Sequence, residues 1–275
     1  MPELPEVETT RRGIEPHIKG LRIEAVEIRN PRLRWPVPPS LSDSLAGRQI
    51  LAVERRGKYL LFRTDGSETM IVHLGMSGSL FILKDATAGR APGPHDHLDW
   101  LFSGGTRLRL RDPRRFGAVL MTEGEPLAHS LLRHLGPEPL ESGFTPDYLY
   151  EAARSRRITI KQLIMYSRVV VGVGNIYASE ALFLSGIRPG RACHRVSRPR
   201  FHVLRDAIVN VLQEAIGQGG TTLRDFVRED GRPGYFRPQL NVYGRSGLPC
   251  HVCGTQVRQR RIGQRSSFYC PVCQR

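Results

Sequence analysis

The spacing of apolar and polar residues changes character along the chain. Residues 5–18 predict a helix that begins just after Pro5. Short runs rich in Val, Ile and Leu follow at 50–53, 59–63, 70–74, 80–83, 98–102, 108–111 and 118–121. Gly, Asp and Pro punctuate them, the pattern of strands in an antiparallel sandwich or barrel. The stretch KDATAGRAPGP at 84–94 predicts an exposed loop. Past LGPEPL at 135–140 the period becomes helical, with 156–166 one helical segment and 197–216 the clearest. There Ser197 can cap, Pro199 falls in the first turn, and Phe201, Leu204, Ile208, Val211, Leu212 and Ile216 share a face. Gly217, Gly219 and Gly220 are expected to end it. The outline is an α+β multidomain chain: an N-terminal antiparallel β-sandwich at 1–130, a helical domain at 131–238 and a cysteine-bearing hairpin at 239–275.

At 275 residues and 40% hydrophobic content the chain can bury a sizeable core. No window reaches the length of a membrane span, and the acidic start MPELPEVETT does not read as a signal peptide. A cytoplasmic, nucleoid-associated location and no membrane partner are therefore expected. The net charge of +15 calls for a polyanion, because neutralising phosphates releases condensed counterions. Only Lys19, Lys58, Lys84 and Lys161 are lysines, so arginine carries nearly all of that charge. Arginine suits bidentate contact with phosphate and guanine. Ribosomal proteins, nucleases and binders of anionic membranes all remain open at this level.

Cys250, Cys253, Cys270 and Cys273 form C-x2-C-x16-C-x2-C. Two such knuckles suit one tetrahedral Zn²⁺, and four thiolates leave no open position for a catalytic water. One structural zinc is the expected cofactor; two disulfides would need an oxidising compartment. Residues 231–275 hold eight Arg and no acid, so the ribbon should lie on nucleic acid. Arg265 falls near the tip of its expected hairpin.

Two other signals are weaker alone. In VVVGVGNIYASE at 169–180, glycines precede a helix start at Asn175, where backbone N–H groups and the helix dipole favour an anion. A dinucleotide fingerprint would need a third glycine after a strand. The terminus PELPE offers a secondary amine at Pro2 once Met1 is removed. Such an amine titrates far below a lysine, and its adduct with an aldehyde-like sugar carbon is an iminium that acts as an electron sink, although an ordinary flexible terminus would carry the same residues. Glu3 and Glu6 could shuttle the protons.

Together, PELPEVE at 2–8, RGKY at 56–59, HLGMSG at 73–78, DPRRFG at 112–117, LGPEPL, GVGNIYASE at 172–180, GGTTLRDF at 219–226, VYGR at 242–245 and the four cysteines resemble the formamidopyrimidine-DNA glycosylases over essentially the whole chain. The resemblance implies a helix-two-turn-helix in the helical domain and a four-cysteine zinc ribbon after it. It implies a monomer that removes oxidised purines from damaged double-stranded DNA and then cleaves the abasic site by β,δ-elimination. Pro2 would be the nucleophile, Glu3 the acid/base at the sugar ring oxygen, and Glu6 its support. Lys58, His73, Asn175, Tyr243 and Arg265 match positions gripping the backbone, and Arg115 another phosphate contact; Lys58 is also counted with the catalytic residues, and Lys161 is expected to bind DNA. Met76, Arg114 and Phe116 match residues that fill the gap left by the extruded nucleotide. Gly219, Gly220, Thr221, Thr222, Leu223 and Arg224 match the loop that closes over the lesion.

The chain departs from its resemblance at Tyr166–Ser167–Arg168, where relatives carry an acid and then a polar residue. It departs again at Gly57, where Ala is common. An endonuclease VIII-like enzyme for oxidised pyrimidines usually begins PEGPE and lacks the Met/Arg/Phe set. A zinc-ribbon DNA-binding protein without catalysis has no need of Pro2, Glu3 and Glu6.

Overall fold

A computed structural model of the chain describes residues 2–84, 89–219 and 240–275. It contains two compact units. One holds the described residues up to Arg133 and the last turn of a long helix from Ile216. The other holds His134–Ala215 and the described residues from Leu240 to Arg275.

The first unit opens with α1 (Leu4–Ile18), which has Pro5 in its first turn, where a missing N–H costs nothing. The strands that follow are β1 (Ile23–Ile28), β2 (Ile50–Arg56), β3 (Tyr59–Thr64), β4 (Glu68–His73), β5 (Ser79–Leu83), β6 (Asp96–Phe102), β7 (Arg107–Arg111) and β8 (Ala118–Glu123); a short helix, α2 (Leu41–Leu45), precedes β2. They form two antiparallel sheets, ordered β1-β6-β7-β5 and β2-β3-β4-β8. Leu98, Trp100, Leu108 and Leu110 from the first sheet share one core with Val53, Leu60, Phe62, Met70 and Val72 from the second. Val7, Ile14 and Ile18 of α1 complete that core. Each such side chain contributes about 1.5–3 kcal/mol by leaving water. On the outward side of β6 and β7, Asp99 is buried among Arg109, Arg29 and Arg107. Burial alone would raise the Asp99 carboxyl, but these guanidinium bonds hold it below its ordinary range.

The second unit has α3 (Pro146–Arg154), α4 (Ile160–Met165), α5 (Asn175–Leu184) and most of α6 (Arg198–Gly219), then the hairpin of β9 (Arg258–Ile262) and β10 (Arg265–Tyr269). The helix expected over 156–166 begins only at Ile160. Thr159 caps it, with reciprocal bonds between Thr159 and Gln162. Conversely α6 runs through Gly217 to Gly219, so the glycines do not stop it where expected. The hairpin turns on Gly263 and Gln264, both at positive φ (53° and 64°), as a type I′ connection requires. Among the described residues no helix is long and apolar enough to cross a membrane.

Candidate functional site

In the first unit the chemistry-bearing residues fall into three groups. Pro2 and Glu3 are buried at the entry to α1. The Glu6 carboxylate accepts the Glu3 backbone N–H at 2.8 Å, and the Glu3 side chain in turn accepts the Glu6 backbone N–H. This capping box satisfies helix-end donors and ties both carboxylates to the start of α1. Further along α1, the Glu8 carboxylate accepts from Arg11, Arg12 and Arg55. Burial opposes its ionisation, but the bonds from Arg11 and Arg12 and the nearby charges win, so the carboxyl sits low.

Arg55 carries this restraint to the second group. Its Nη1 donates to the Gly57 carbonyl at 3.1 Å, in the two-residue turn that presents Lys58 between β2 and β3. Gly57 has φ of 58°, which explains a glycine there: an alanine would be strained in this turn. Tyr59 pairs with His73 across β3 and β4, and their rings lie 4.8 Å apart. Burial pushes the His73 imidazole down to about 4, with the Lys58 and Arg34 charges adding to the effect and Asp112 opposing it. His73 is therefore neutral near pH 7. Its Nδ1 accepts the Gly75 N–H at 3.0 Å, so the ring proton sits on Nε2, where a phosphate oxygen can accept it. Arg34 was not singled out from sequence. It stands exposed in an irregular segment whose backbone is held by a bond from the Arg34 N–H to the Gly117 carbonyl.

The third group is a pair of loops, 74–78 and 112–117. Met76 is 40% and Phe116 42% exposed, one large apolar side chain on each of two touching loops. The Arg114 guanidinium lies 4.6 Å over the Phe116 ring. A Cβ on Gly75 would sit 2.3 Å from the Phe116 carbonyl carbon, so the two loops touch backbone to backbone. Arg115 adopts φ of 55°, a left-handed conformation that leaves its side chain exposed. Gly219, at the end of α6, would bring a Cβ within 2.5 Å of the Thr9 hydroxyl on α1. Gly220, Thr221, Thr222, Leu223 and Arg224 lie outside the described residues.

In the second unit the residues converge on the hairpin. Asn175, the first residue of α5, donates its side-chain N–H to the Ser266 carbonyl at 3.1 Å. Lys161, expected to bind DNA, is 1% exposed. Its Nζ donates to the Ser267 hydroxyl at 2.7 Å and to the Ser266 carbonyl at 3.3 Å. That geometry corrects the expectation: the ammonium is spent inside the protein, as a strut under β10. Arg265, next to Ser266, is exposed at the start of that strand. Tyr243 is half-buried, edge-on to Phe268 at 5.1 Å. Its backbone N–H, with those of Asn241 and Val242, is collected by the buried carboxylate of Glu180 at 2.7–3.0 Å. Sequence reasoning missed Glu180, although a single acid inside the apolar helix NIYASEALFL was a visible signal. The departure at Tyr166–Ser167–Arg168 presents exposed side chains, while the Ser167 carbonyl accepts the Gly136 N–H.

The four cysteine sulfurs lie within 4.8 Å of one another, with Cys250–Cys273 at 3.9 Å and Cys253–Cys270 at 3.4 Å. Zinc–sulfur bonds of about 2.3 Å in a tetrahedron set sulfurs ~3.8 Å apart, so the donor set fits one Zn²⁺. The Cys273 N–H points at the Cys270 sulfur, the backbone support expected around a bound thiolate.

A β-sandwich whose first helix is capped by two carboxylates, and a helical unit ending in a basic four-cysteine ribbon, define a class of DNA-acting enzyme. Three family models match: the formamidopyrimidine-DNA glycosylase N-terminal domain over residues 1–119, its H2TH domain over 135–227, and a zinc finger found in FPG and IleRS over 247–275. The chain is 58% identical to the formamidopyrimidine-DNA glycosylase of Thioalkalivibrio sulfidiphilus and 56% identical to that of Alkalilimnicola ehrlichii, each alignment covering 100% of both chains. Its fold is similar to MutM (Fpg) from Thermus thermophilus, with a TM-score of 0.84, 38% identity and coverage of 99% and 98%. It is similar as well to Lactococcus lactis Fpg in complex with DNA containing Fapy-dG, with a TM-score of 0.88, 33% identity and coverage of 99% and 100%. The chain belongs to the formamidopyrimidine-DNA glycosylase family.

Proposed function

We propose that the protein acts as a monomer on damaged duplex DNA, removing 8-oxoguanine and formamidopyrimidines and then cutting the abasic strand on both sides. The observation that carries this reading is the capped start of α1, which ties Glu3 and Glu6 together directly after Pro2 in a chain that matches its relatives over their whole length. Support for the substrate comes from relatives of this fold held on DNA containing Fapy-dG, and from a MutM complex with carbocyclic 8-oxo-G DNA.

In this reading the Pro2 nitrogen gives its lone pair to C1′, the glycosidic electrons leave with the base, which takes a proton from water, and the nitrogen passes its own proton to Glu3. Glu3 protonates the sugar ring oxygen as the ring opens, and the nitrogen becomes an iminium. Loss of a 2′ proton then expels the 3′ phosphate, and a second elimination expels the 5′ phosphate. Glu6, tied to the Glu3 backbone, is a positioning residue. Lys58, Arg34 and neutral His73 form a cationic and donor cluster for the phosphates flanking the extruded nucleotide. Asn175, Tyr243 and Arg265 present the same chemistry from the second unit, and Arg115 a further phosphate contact. Met76 and Phe116 fill the vacated stack, and Arg114 reads the orphaned base. Zinc, held by the four cysteines, supplies folding energy and no reaction step.

Borohydride trapping of protein lacking Met1 tests this. Duplexes carrying 8-oxoguanine opposite C should yield a covalent adduct, and Pro2→Gly should lose most of it while still binding. Trapping mainly on thymine glycol would favour the endonuclease VIII-like reading. No adduct on either would remove catalysis.

A further inference from the structure

We propose that Ser77 and Asp112, which no motif reading assigned a role, are positioning residues that set recognition of the base opposite the lesion. This inference rests on Arg114 reading that base.

Asp112 is fully buried at the root of one wedge loop. Its Oδ2 accepts the Gly117 N–H at 2.7 Å, and its backbone carbonyl accepts the Arg115 N–H at 3.1 Å. The loop from 112 to 117 is thus closed on a single residue, which also explains how Arg115 is held at positive φ. The same backbone carbonyl receives the buried His97 Nε2 at 2.8 Å, which fastens the loop's root to β6. The second oxygen, Oδ1, reaches across to the other loop and accepts the Ser77 hydroxyl at 2.6 Å. With its proton committed there, the Ser77 oxygen accepts the backbone N–H of Arg114 at 3.1 Å.

Ser77 therefore touches both loops at the residue that matters. It follows Met76 directly and fixes the backbone of Arg114, whose guanidinium stacks on Phe116. Two close approaches leave the pair no slack. Gly75 meets the Phe116 carbonyl carbon at 2.3 Å from an added Cβ, and Gly117 meets the His73 carbonyl oxygen at 2.9 Å. Neither Ser77 nor Asp112 need touch DNA to govern the angle at which Arg114 enters the vacated stack. A hydrogen-bond fork aimed at a base edge loses discrimination when its origin drifts, so the effect should appear in base choice before it appears in binding.

The test is the ratio of borohydride-trapping rates with 8-oxoguanine opposite C and opposite A, measured for the zinc-loaded protein lacking Met1. Ser77→Ala should lower that ratio about five-fold, the equivalent of one hydrogen bond. Ser77→Thr, which keeps the hydroxyl, should restore it. In an Arg114→Ala background Ser77→Ala should change the ratio no further, because the group it aims is gone. A merely structural role would slow both duplexes alike and leave the ratio untouched. If Arg114→Ala collapses the ratio and Ser77→Ala leaves it intact, the positioning role is overturned. If Arg114→Ala itself leaves the ratio intact, the assignment of Arg114 fails first and this inference falls with it. Should the alanine variant not fold, Ser77→Cys keeps the volume with a far weaker donor and carries the same comparison.

Discussion

Lys161→Met separates a strut from a DNA contact. Methionine keeps the length of the buried stem and deletes the ammonium, so packing changes little. What disappears is the charge-assisted bond to the Ser267 hydroxyl at 2.7 Å and the longer one to the Ser266 carbonyl. A bond of the first kind is worth about 1.5–3 kcal/mol. Two effects reduce the net loss. The Ser266 carbonyl keeps its bond from Asn175, and burying a neutral thioether avoids the desolvation of a charge. The expected destabilisation is ~1–3 kcal/mol, read from chemical unfolding of the zinc-loaded protein. Affinity for a lesion duplex should fall through a less rigid hairpin, with the salt dependence of binding little changed. A lysine that neutralised a phosphate would contribute about 0.9 to the slope of log K against log salt. A slope reduced by that amount, with an unchanged unfolding free energy, would refute the assignment of Lys161 as a strut.

Two further outcomes follow from the geometry. Glu180→Gln keeps the shape, but in either amide orientation its NH2 group faces two of the four donors now collected by the carboxylate. The variant should lose ~2–4 kcal/mol in the same unfolding assay; a loss within ~0.5 kcal/mol would show that the Asn241–Tyr243 backbone does not depend on it. For His73, NMR titration should find a midpoint near 4. Between its ordinary value of 6.5 and 4 the unfolded chain binds a proton that the folded protein refuses, so stability falls as pH drops through that window and levels off below it. A midpoint near 6.5 would contradict the buried, neutral imidazole.

Much of the β-sandwich was legible because its strands alternate apolar residues against turn residues at regular spacing. Leu60 and Phe62 face Val72 and Met70 as the pattern demands. The cysteine knuckles were legible for a different reason: metal coordination fixes ligand spacing in sequence. The helical unit was harder. Periodicity ran across Arg156–Thr159 although Thr159 caps the helix only at Ile160, and α6 tolerated glycines because its packed face outweighs their propensity. Candidates whose side chains are exposed, such as Arg265 and Met76, could be named from motifs. Those acting through others could not. Lys161 looked like a DNA contact because sequence gives charge without burial. Arg34, Ser77, Asp112 and Glu180 gain meaning only from neighbours many positions away.

The backbone contact between Gly75 and Phe116 has an evolutionary side. Two segments nearly forty residues apart must keep matched shapes, since neither glycine nor its opposite carbonyl has room to yield. Segments 74–78 and 112–117 therefore form one unit of inheritance. A chimaera that borrows one of them from a distant relative inherits half of a lock, whereas exchanging both together transfers a working part.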